Sequence, residues 1–231
     1  MADNYLEKRY EEVFGSGAGR REGVRHATPS IDNLIARNRS QRGYVKSRVV
    51  ALDELEKIIR VCTMIPSARN QQVLRFCPVT RDSGAEVVLE NIRLGGALPE
   101  LHLPLEGTEP EAFIIICSTV EEGRYVDIDL GIAAQSMLLK AVSMGLGGII
   151  ICAFNRDALQ QAFALPYPPI AVIAIGKGAE KIVLEPIGQQ DSHNYYRTPD
   201  GVHHVPKVRM EDLLIENIHQ PADLEGDGLI G

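Results

Sequence analysis

Three short polar segments carry residue types that can bind or transform a small molecule. In the first, residues 37–44, Arg39 and Arg42 flank Ser40. Guanidinium groups donate paired hydrogen bonds to phosphate oxygens, and a neighbouring hydroxyl adds a small donor. The segment therefore predicts a site for a phosphate monoester, and a solvated basic loop is the alternative.

The second polar segment, residues 66–72, contains Ser67, Asn70 and Gln72 between an expected helix and an expected strand. These side chains supply both donors and acceptors, which suits the edge of an aromatic heterocycle. The same residue types also occur in ordinary turns. Residue types alone leave both interpretations open.

The third polar segment, residues 205–209, places Lys207 and Arg209 two positions apart. In an extended chain such side chains point to the same side. Together they can meet a phosphate, or they can face solvent on a surface strand.

The composition is that of a globular protein with one main domain. Of its 231 residues, 45% are hydrophobic and 24% are charged, which suffices to bury a core without a disulfide or cofactor. The apolar runs at 113–117 and 147–154 are shorter than a membrane span. The first ten residues lack the apolar stretch of a secretory signal. The sequence therefore predicts a soluble cytoplasmic protein that does not bind or span a membrane.

The charge distribution bears on the choice of partner. A net charge of −7 disfavours nucleic acid, because phosphates would repel the chain. Basic residues nevertheless crowd one stretch, namely Arg20, Arg21, Arg25, Arg37, Arg39, Arg42, Lys46 and Arg48. This local reversal of sign suggests an anionic small molecule, with a solvated basic face as the alternative.

The cysteines and histidines give no metal or thiol site. The four cysteines lie far apart in apolar segments, which predicts buried, reduced thiols: Cys62, Cys77, Cys117 and Cys152. For Cys152 a redox role is the alternative, and packing is the expectation. His203 and His204 are adjacent and must point to opposite sides of an extended chain. We expect exposed loop histidines there and no metal.

Four helices are expected from spacing and breakers. A short one at 4–14 ends in the glycine-rich loop 15–19, which follows a helix and is therefore interpreted as a hinge. An amphipathic helix at 52–65 ends before Pro66. A long helix begins at Asp127 or Asp129 and runs to 145, with apolar residues around most of its circumference. A fourth covers 155–163.

Strands are expected at 74–80, 113–117, 149–153 and 170–175. Residues 113–117 show no alternation and are rich in β-branched types, which predicts a strand buried on both faces. Because helices and strands alternate along the chain, the expected fold is a layered α/β or α+β sandwich. The loop-rich region 91–111 is the expected substrate-side variable segment.

The ordered set of segments resembles the nitroreductase family. The family's Arg-Arg-Ser-x-Arg motif is matched by Arg39, Ser40 and Arg42, with Asn38 in place of the first arginine. Its Pro-Ser-x-x-Asn-x-Gln-Pro-Trp motif is matched by Pro66, Ser67, Asn70 and Gln72, followed by Val73 and Leu74 instead of Pro and Trp. Residues 127–154 resemble the family's dimer helix, glycine-rich turn and strand. Lys207 and Arg209 lie where members often carry a phosphate clamp.

The resemblance covers about residues 31–214 and implies an organisation. It implies a mixed sheet flanked by helices, in a homodimer whose long buried interface helix is the one beginning near Asp127. Residues 31–215 would form the FMN-binding domain. Residues 1–30 would form an N-terminal helical extension, and residues 216–231 a C-terminal tail.

The resemblance also implies cofactor-binding roles. Arg39, Ser40, Lys207 and Arg209 would hold the FMN phosphate, with Asn38 a weaker contributor. Arg42 would lie toward the pyrimidine end of the ring, where a positive charge stabilises the reduced flavin. The remaining contacts would be Pro66, Ser67, Ala68, Asn70 and Gln72 from the partner subunit, and Ile150, Ile151, Cys152 and Ala153, with a backbone N–H near Cys152 or Ala153 approaching the flavin N5.

The implied activity is a ping-pong oxidoreductase in which NAD(P)H reduces FMN and a small acceptor is then reduced. Nitroaromatics, quinones and related conjugated electrophiles are the expected acceptors. No catalytic side chain is required, because the chemistry occurs on the flavin. Two alternatives stay open: another flavin reaction, such as reductive dehalogenation, heterocycle dehydrogenation or flavin breakdown, and a non-catalytic flavin-binding protein.

Overall fold

The computed structural model describes residues 29–96 and 101–215. The helix predicted at 4–14, the glycine-rich loop 15–19 and the C-terminal tail 216–231 lie outside the described residues. So does almost all of the predicted N-terminal extension.

A four-stranded sheet forms the centre of the fold. Its strands are β1 Leu74–Val79, β2 Phe113–Ser118, β3 Gly147–Ile151 and β4 Pro169–Gly176. They lie in the order β1-β2-β4-β3, and every neighbouring pair is antiparallel. All four predicted strands are confirmed. The third begins and ends two residues earlier than predicted, which leaves Cys152 and Ala153 beyond its end.

Both faces of this sheet are covered, as the apolar run in β2 predicts. Every residue of β2 is buried, and alternate residues enter different cores. Ile114 and Ile116 belong to one core cluster, whereas Phe113, Ile115 and Cys117 belong to the other. A strand between two cores shows no polar alternation, because neither face meets water.

The described residues contain six α-helices. They are α1 Ile31–Arg37, α2 Leu52–Ile59, α3 Ala85–Glu90, α4 Arg124–Ser143, α5 Arg156–Ala162 and α6 Met210–Leu213. Helix α2 buries Leu55 and Ile58 and continues as a 3-10 turn, Arg60–Thr63. Helix α5 begins after Asn155, whose side chain accepts from the Ala158 N–H at 3.2 Å.

The start of the long helix α4 differs from the prediction. It begins at Arg124 with Gly123 as its N-cap, so neither Asp127 nor Asp129 caps it. Asp129 instead lies within the helix at 4% exposure. Its carboxylate accepts a hydrogen bond from the Ala68 N–H at 2.8 Å, which accounts for an acidic residue among apolar neighbours.

Helix α4 packs against the sheet along one side, whereas two large apolar side chains near its start are exposed. Ala133, Met137 and Ala141 are fully buried against the sheet. On the outer side Tyr125 is 58% exposed and Ile128 is 46% exposed. Within the described ranges, these two apolar side chains are therefore largely exposed to water.

A second, three-stranded sheet follows the central one in sequence. It consists of β5 Ile182–Ile187, β6 Tyr196–Arg197 and β7 His203–Val208, in the order β5-β7-β6. Strands β5 and β7 are parallel, whereas β6 and β7 are antiparallel. The prediction of exposed loop histidines is wrong here, because His203 is only 1% exposed and His204 is half-buried within β7.

The cysteine environments differ from one another. Burial raises the pKa of the Cys62 and Cys117 thiols to about 11, so both stay protonated and poorly nucleophilic at neutral pH. Cys152 is exposed in this chain, so the predicted buried packing position is wrong. The reason is the earlier end of β3 at Ile151. Among the helices of the described ranges, none has the length and apolarity to cross a membrane.

Candidate functional site

A cavity of about 340 Å³ lies beside β3. Its walls come from the 38–42 segment, helix α4, strand β3 and the second sheet with its loop at Tyr195. Its lining contains three cationic side chains and, among the described residues, no Asp or Glu. The lining residues are Asn38, Arg39, Ser40, Arg42, Gln135, Leu138, Gly148, Ile150, Ile182, Tyr195, His203, Val205 and Lys207. We call this the basic cavity; its charge suits an anionic ligand.

The 38–42 segment reaches the basic cavity by docking on the edge of β3. Ser40 forms a parallel bridge with Gly148, and the Gln41 N–H donates to the Gly148 carbonyl at 3.1 Å. The Asn38 side chain donates to Gln135 on α4 at 3.2 Å. Gly148 must lack a side chain, because a Cβ there would lie 2.3 Å from the Ala174 carbonyl oxygen. These contacts fix the segment against both a strand and a helix.

Arg39 and Lys207 bring charge to the basic cavity from distant parts of the chain. The Arg39 guanidinium donates from Nη2 to the Ile35 carbonyl at 2.7 Å, while its Nε is buried without a partner among the described residues. Lys207 is exposed in β7, on the same side of the strand as Val205 and His203. A buried donor without a hydrogen-bond partner costs folding free energy. A ligand oxygen that accepted a hydrogen bond from Arg39 would remove this cost.

Arg42 is held more tightly than the other two cations. It is 9% exposed. Its Nη1 donates to the Ser40 carbonyl at 3.2 Å, and its guanidinium carbon lies 4.9 Å from the centre of the Tyr195 ring. Its Nε is buried and finds no partner in the part of the chain that the structure describes. Stacking and hydrogen bonding therefore fix a positive charge in the cavity wall.

Glu180 binds the backbone next to Arg42 without lining the basic cavity. Its carboxylate accepts from the backbone N–H groups of Arg42 and Gly43, and it pairs with Arg197. The carboxylate is 7% exposed and is not among the residues that line the basic cavity. Two backbone N–H groups and the Arg197 guanidinium therefore satisfy the Glu180 carboxylate outside the lining of the basic cavity.

The 66–72 segment lies at a different cavity, of about 270 Å³, whose lining includes Pro66, Ser67, Gln72 and Asp129. It shares no described lining residue with the basic cavity. Three of its non-glycine residues adopt the left-handed conformation, with φ of 51° at Arg69, 55° at Asn70 and 50° at Gln72. Such strain persists only where surrounding contacts impose it. The Ala68 N–H bond to Asp129 is one such contact.

We expect Asp129→Ala to release this segment. Loss of the bond should lower the free energy of unfolding by about 1–3 kcal/mol, the scale of a hydrogen bond to a charged acceptor. It should also speed hydrogen exchange at the Ala68 amide. Asp129→Asn keeps an acceptor oxygen and should keep most of the protection, while Asp127→Ala, at an exposed position on the same helix, is the control. Equal protection in the Asp129→Ala and Asp127→Ala variants would contradict the anchoring role.

The structure gathers some of the predicted cofactor contacts and separates others. Asn38, Arg39, Ser40, Arg42, Ile150 and Lys207 all line the basic cavity. Ile151 is buried on the opposite face of β3, and Cys152 and Ala153 are exposed just beyond it. Arg209 is not among the lining residues; its guanidinium lies 3.8 Å from the Asp212 carboxylate.

Sequence reasoning missed several lining residues, of which Gln135, Tyr195 and His203 carry polar groups. One signal was available for His203. In a strand, residues 203, 205 and 207 share a face, so a lysine assigned to the site implied that His203 faces it too. No comparable signal existed for Gln135 or Tyr195.

Fold and site together define a class: an α+β protein with a cavity lined by three cationic side chains. The nitroreductase family model matches residues 35–177, which is more than half of the chain. The chain belongs to the nitroreductase family. A protein of Archaeoglobus fulgidus named "Putative NADH dehydrogenase/NAD(P)H nitroreductase" is 24% identical over 178 residues, covering 74% of this chain and 94% of that protein.

Solved structures show the same fold. A nitroreductase family protein from Clostridium novyi NT matches with a TM-score of 0.54 and 19% identity, over 77% of this chain and 95% of the other. A structure from Exiguobacterium sibiricum 255-15, described as a "putative nitroreductase in complex with FMN", matches with a TM-score of 0.53 and 17% identity, over 66% of this chain and 90% of the other. At these identities the likeness establishes the fold.

Proposed function

We propose that this protein is an FMN-dependent oxidoreductase that uses NAD(P)H to reduce a small conjugated acceptor such as a nitroaromatic or quinone. The observation that carries the proposal is the basic cavity, where Arg39, Arg42 and Lys207 converge without an acidic neighbour in the described lining. Family membership supplies the oxidoreductase class. The names of the relatives, which mention NAD(P)H and FMN, support the choice of donor and cofactor.

The residues present fit FMN. The Nε atoms of Arg39 and Arg42 are buried without partners in the described ranges, and ligand oxygen atoms would satisfy such donors. Arg39, Ser40 and Lys207 would hold the phosphate, with Asn38 contributing less because its amide is engaged with Gln135. Arg42 would meet the pyrimidine end of the ring. Ile150, 40% exposed on β3, would pack against the ring.

The second half of the site would come from another copy of the chain. The 66–72 segment lies at its own cavity, and the outer side of α4 presents Tyr125 and Ile128 to water. A two-fold dimer buries the same surface on both subunits. In such a dimer, Ser67, Asn70 and Gln72 of one copy would face the flavin held by the other. Such a dimer requires each chain to carry both parts of the site, namely the basic cavity and the 66–72 segment.

The chemistry follows from that arrangement. When bound, the flavin supplies the hydride chemistry, accepting from NAD(P)H and delivering to the acceptor in a ping-pong sequence. This chain's residues bind and orient it. The positive charge of Arg42 would favour the reduced, anionic ring. Donor and acceptor would use the same open face in turn.

Purification tests the proposal directly. The protein should be yellow and should release FMN, and not FAD, on denaturation. It should oxidise NADH or NADPH faster when a quinone or nitroaromatic is added. A colourless protein that takes up no added FMN would refute the cofactor assignment. A yellow protein without NAD(P)H oxidation would favour the non-catalytic binder, and an acceptor panel separates other flavin reactions.

A further inference from the structure

His203 occupies an unusual position in the wall of the basic cavity. It is 1% exposed and lies on the cavity side of β7. Its Nε2 is 3.5 Å from Nη1 of Arg42, and its ring centre is 5.1 Å from that of Tyr195. Arg42 thus contacts both an imidazole, from the first residue of β7, and a phenol ring, from the loop between β5 and β6.

The chemistry of the two partners selects one form of the imidazole. An arginine side chain has only donors, so His203 Nε2 can interact favourably with it only as an acceptor. A neutral imidazole with Nε2 unprotonated carries its proton on Nδ1. The Nδ1 atom is buried and has no hydrogen-bond partner among the described residues.

The surrounding charges favour the same form. Burial first, and then the positive charge of Arg42, lower the pKa of His203, while Glu180 acts in the opposite direction and Arg197 and His204 add further lowering. A lowered pKa means that the proton is lost at a lower pH than in a free imidazole. At about pH 6.5, where an ordinary histidine is half protonated, less than half of His203 therefore carries the second proton.

We propose that His203 is a positioning residue that holds the Arg42 guanidinium in the cavity wall by accepting from it at Nε2. The proposal rests on the proposed function for its consequence, because Arg42 is the charge assigned to the pyrimidine end of FMN. Protonation of His203 would turn this acceptor into a donor and set two cations side by side. His203 thus acts through Arg42 and needs no contact with the flavin.

The tautomer is tested on the protein without cofactor. Nitrogen-15 NMR of histidine-labelled apoprotein, assigned with a His203→Gln sample, should show Nδ1 protonated and Nε2 unprotonated in the neutral ring at about pH 7. At about pH 6.5, the ordinary histidine pKa, less than half of the ring should be imidazolium. A ring that is at least half imidazolium at the lower pH, or a neutral ring protonated at Nε2, would overturn the proposal. This measurement does not depend on FMN binding, so it separates failure of the inference from failure of the proposed function.

The consequence is tested by FMN titration of apoprotein, read from flavin fluorescence. His203→Leu removes the acceptor and should weaken binding about three- to tenfold, the scale of one hydrogen bond. His203→Gln retains an acceptor and should restore most of the affinity. His204→Gln, on the opposite side of β7 and paired with Glu185 at 2.6 Å, is the matched control and should bind as wild type.

A double-mutant cycle decides whether His203 acts through Arg42. If it does, His203→Leu should weaken FMN binding little or not at all in the Arg42→Ala background. An equal loss in both backgrounds would refute the positioning role, as would failure of glutamine to rescue. Circular dichroism of each variant confirms that the comparison is between folded proteins.

Discussion

Lys207→Ala and Arg39→Ala should each weaken FMN binding by about 1.5–3 kcal/mol, the scale of one charge-assisted hydrogen bond. That corresponds to roughly a ten- to 150-fold rise in Kd. The two side chains reach the basic cavity from β7 and from the segment docked on β3. Titration of apoprotein with FMN measures the effect, while thermal unfolding of the apoprotein should show that the fold survives.

Two further variants sharpen this test. Lys181→Ala removes the same charge from an exposed side chain that does not line the basic cavity, so FMN affinity should stay at the wild-type value. Arg209→Ala examines the other half of the predicted phosphate clamp. Its guanidinium lies near Asp212, so a smaller loss than in Lys207→Ala is expected. Wild-type affinity in both the Lys207 and Arg39 variants would refute the phosphate assignment.

Ile128→Asp should abolish both dimerisation and FMN retention. Ile128 is 46% exposed on the outer side of α4, and a two-fold contact would place a carboxylate there on both subunits. Burial of unpaired charges costs several kcal/mol, about the stability of a modest interface. If FMN binds between subunits, dimerisation and flavin binding are linked, so dilution of the wild type should also release flavin.

Sedimentation and flavin occupancy, measured together over a concentration series of holo- and apoprotein, decide this prediction. Tyr167→Asp is the matched control, because Tyr167 is a 36% exposed side chain before β4 that lines neither the basic cavity nor the cavity at residues 66–72. It should leave assembly and occupancy unchanged. A monomer that holds FMN at full occupancy would show that the 66–72 half-site is not supplied by a second copy.

Patterns of residue types along the chain were enough to predict the buried elements. The run at 113–117 predicted a strand between two cores, and β2 is buried at every position. The spacing of Leu55 and Ile58 predicted the buried side of α2, and both are fully buried. Local periodicity suffices in such cases, because it records which face of an element meets water. The ordered motifs also identified the family.

Which polar residues share a site depends instead on how distant segments pack. Lys207 joins Arg39 because β7 pairs with β5 in a particular register and Ser40 bridges to Gly148. Arg209 faces Asp212, and Asp129 anchors Ala68 instead of capping a helix. His203 was expected in a loop but is buried against Arg42. Contacts between segments far apart in sequence leave no local periodicity, so only the packing of the folded chain reveals them.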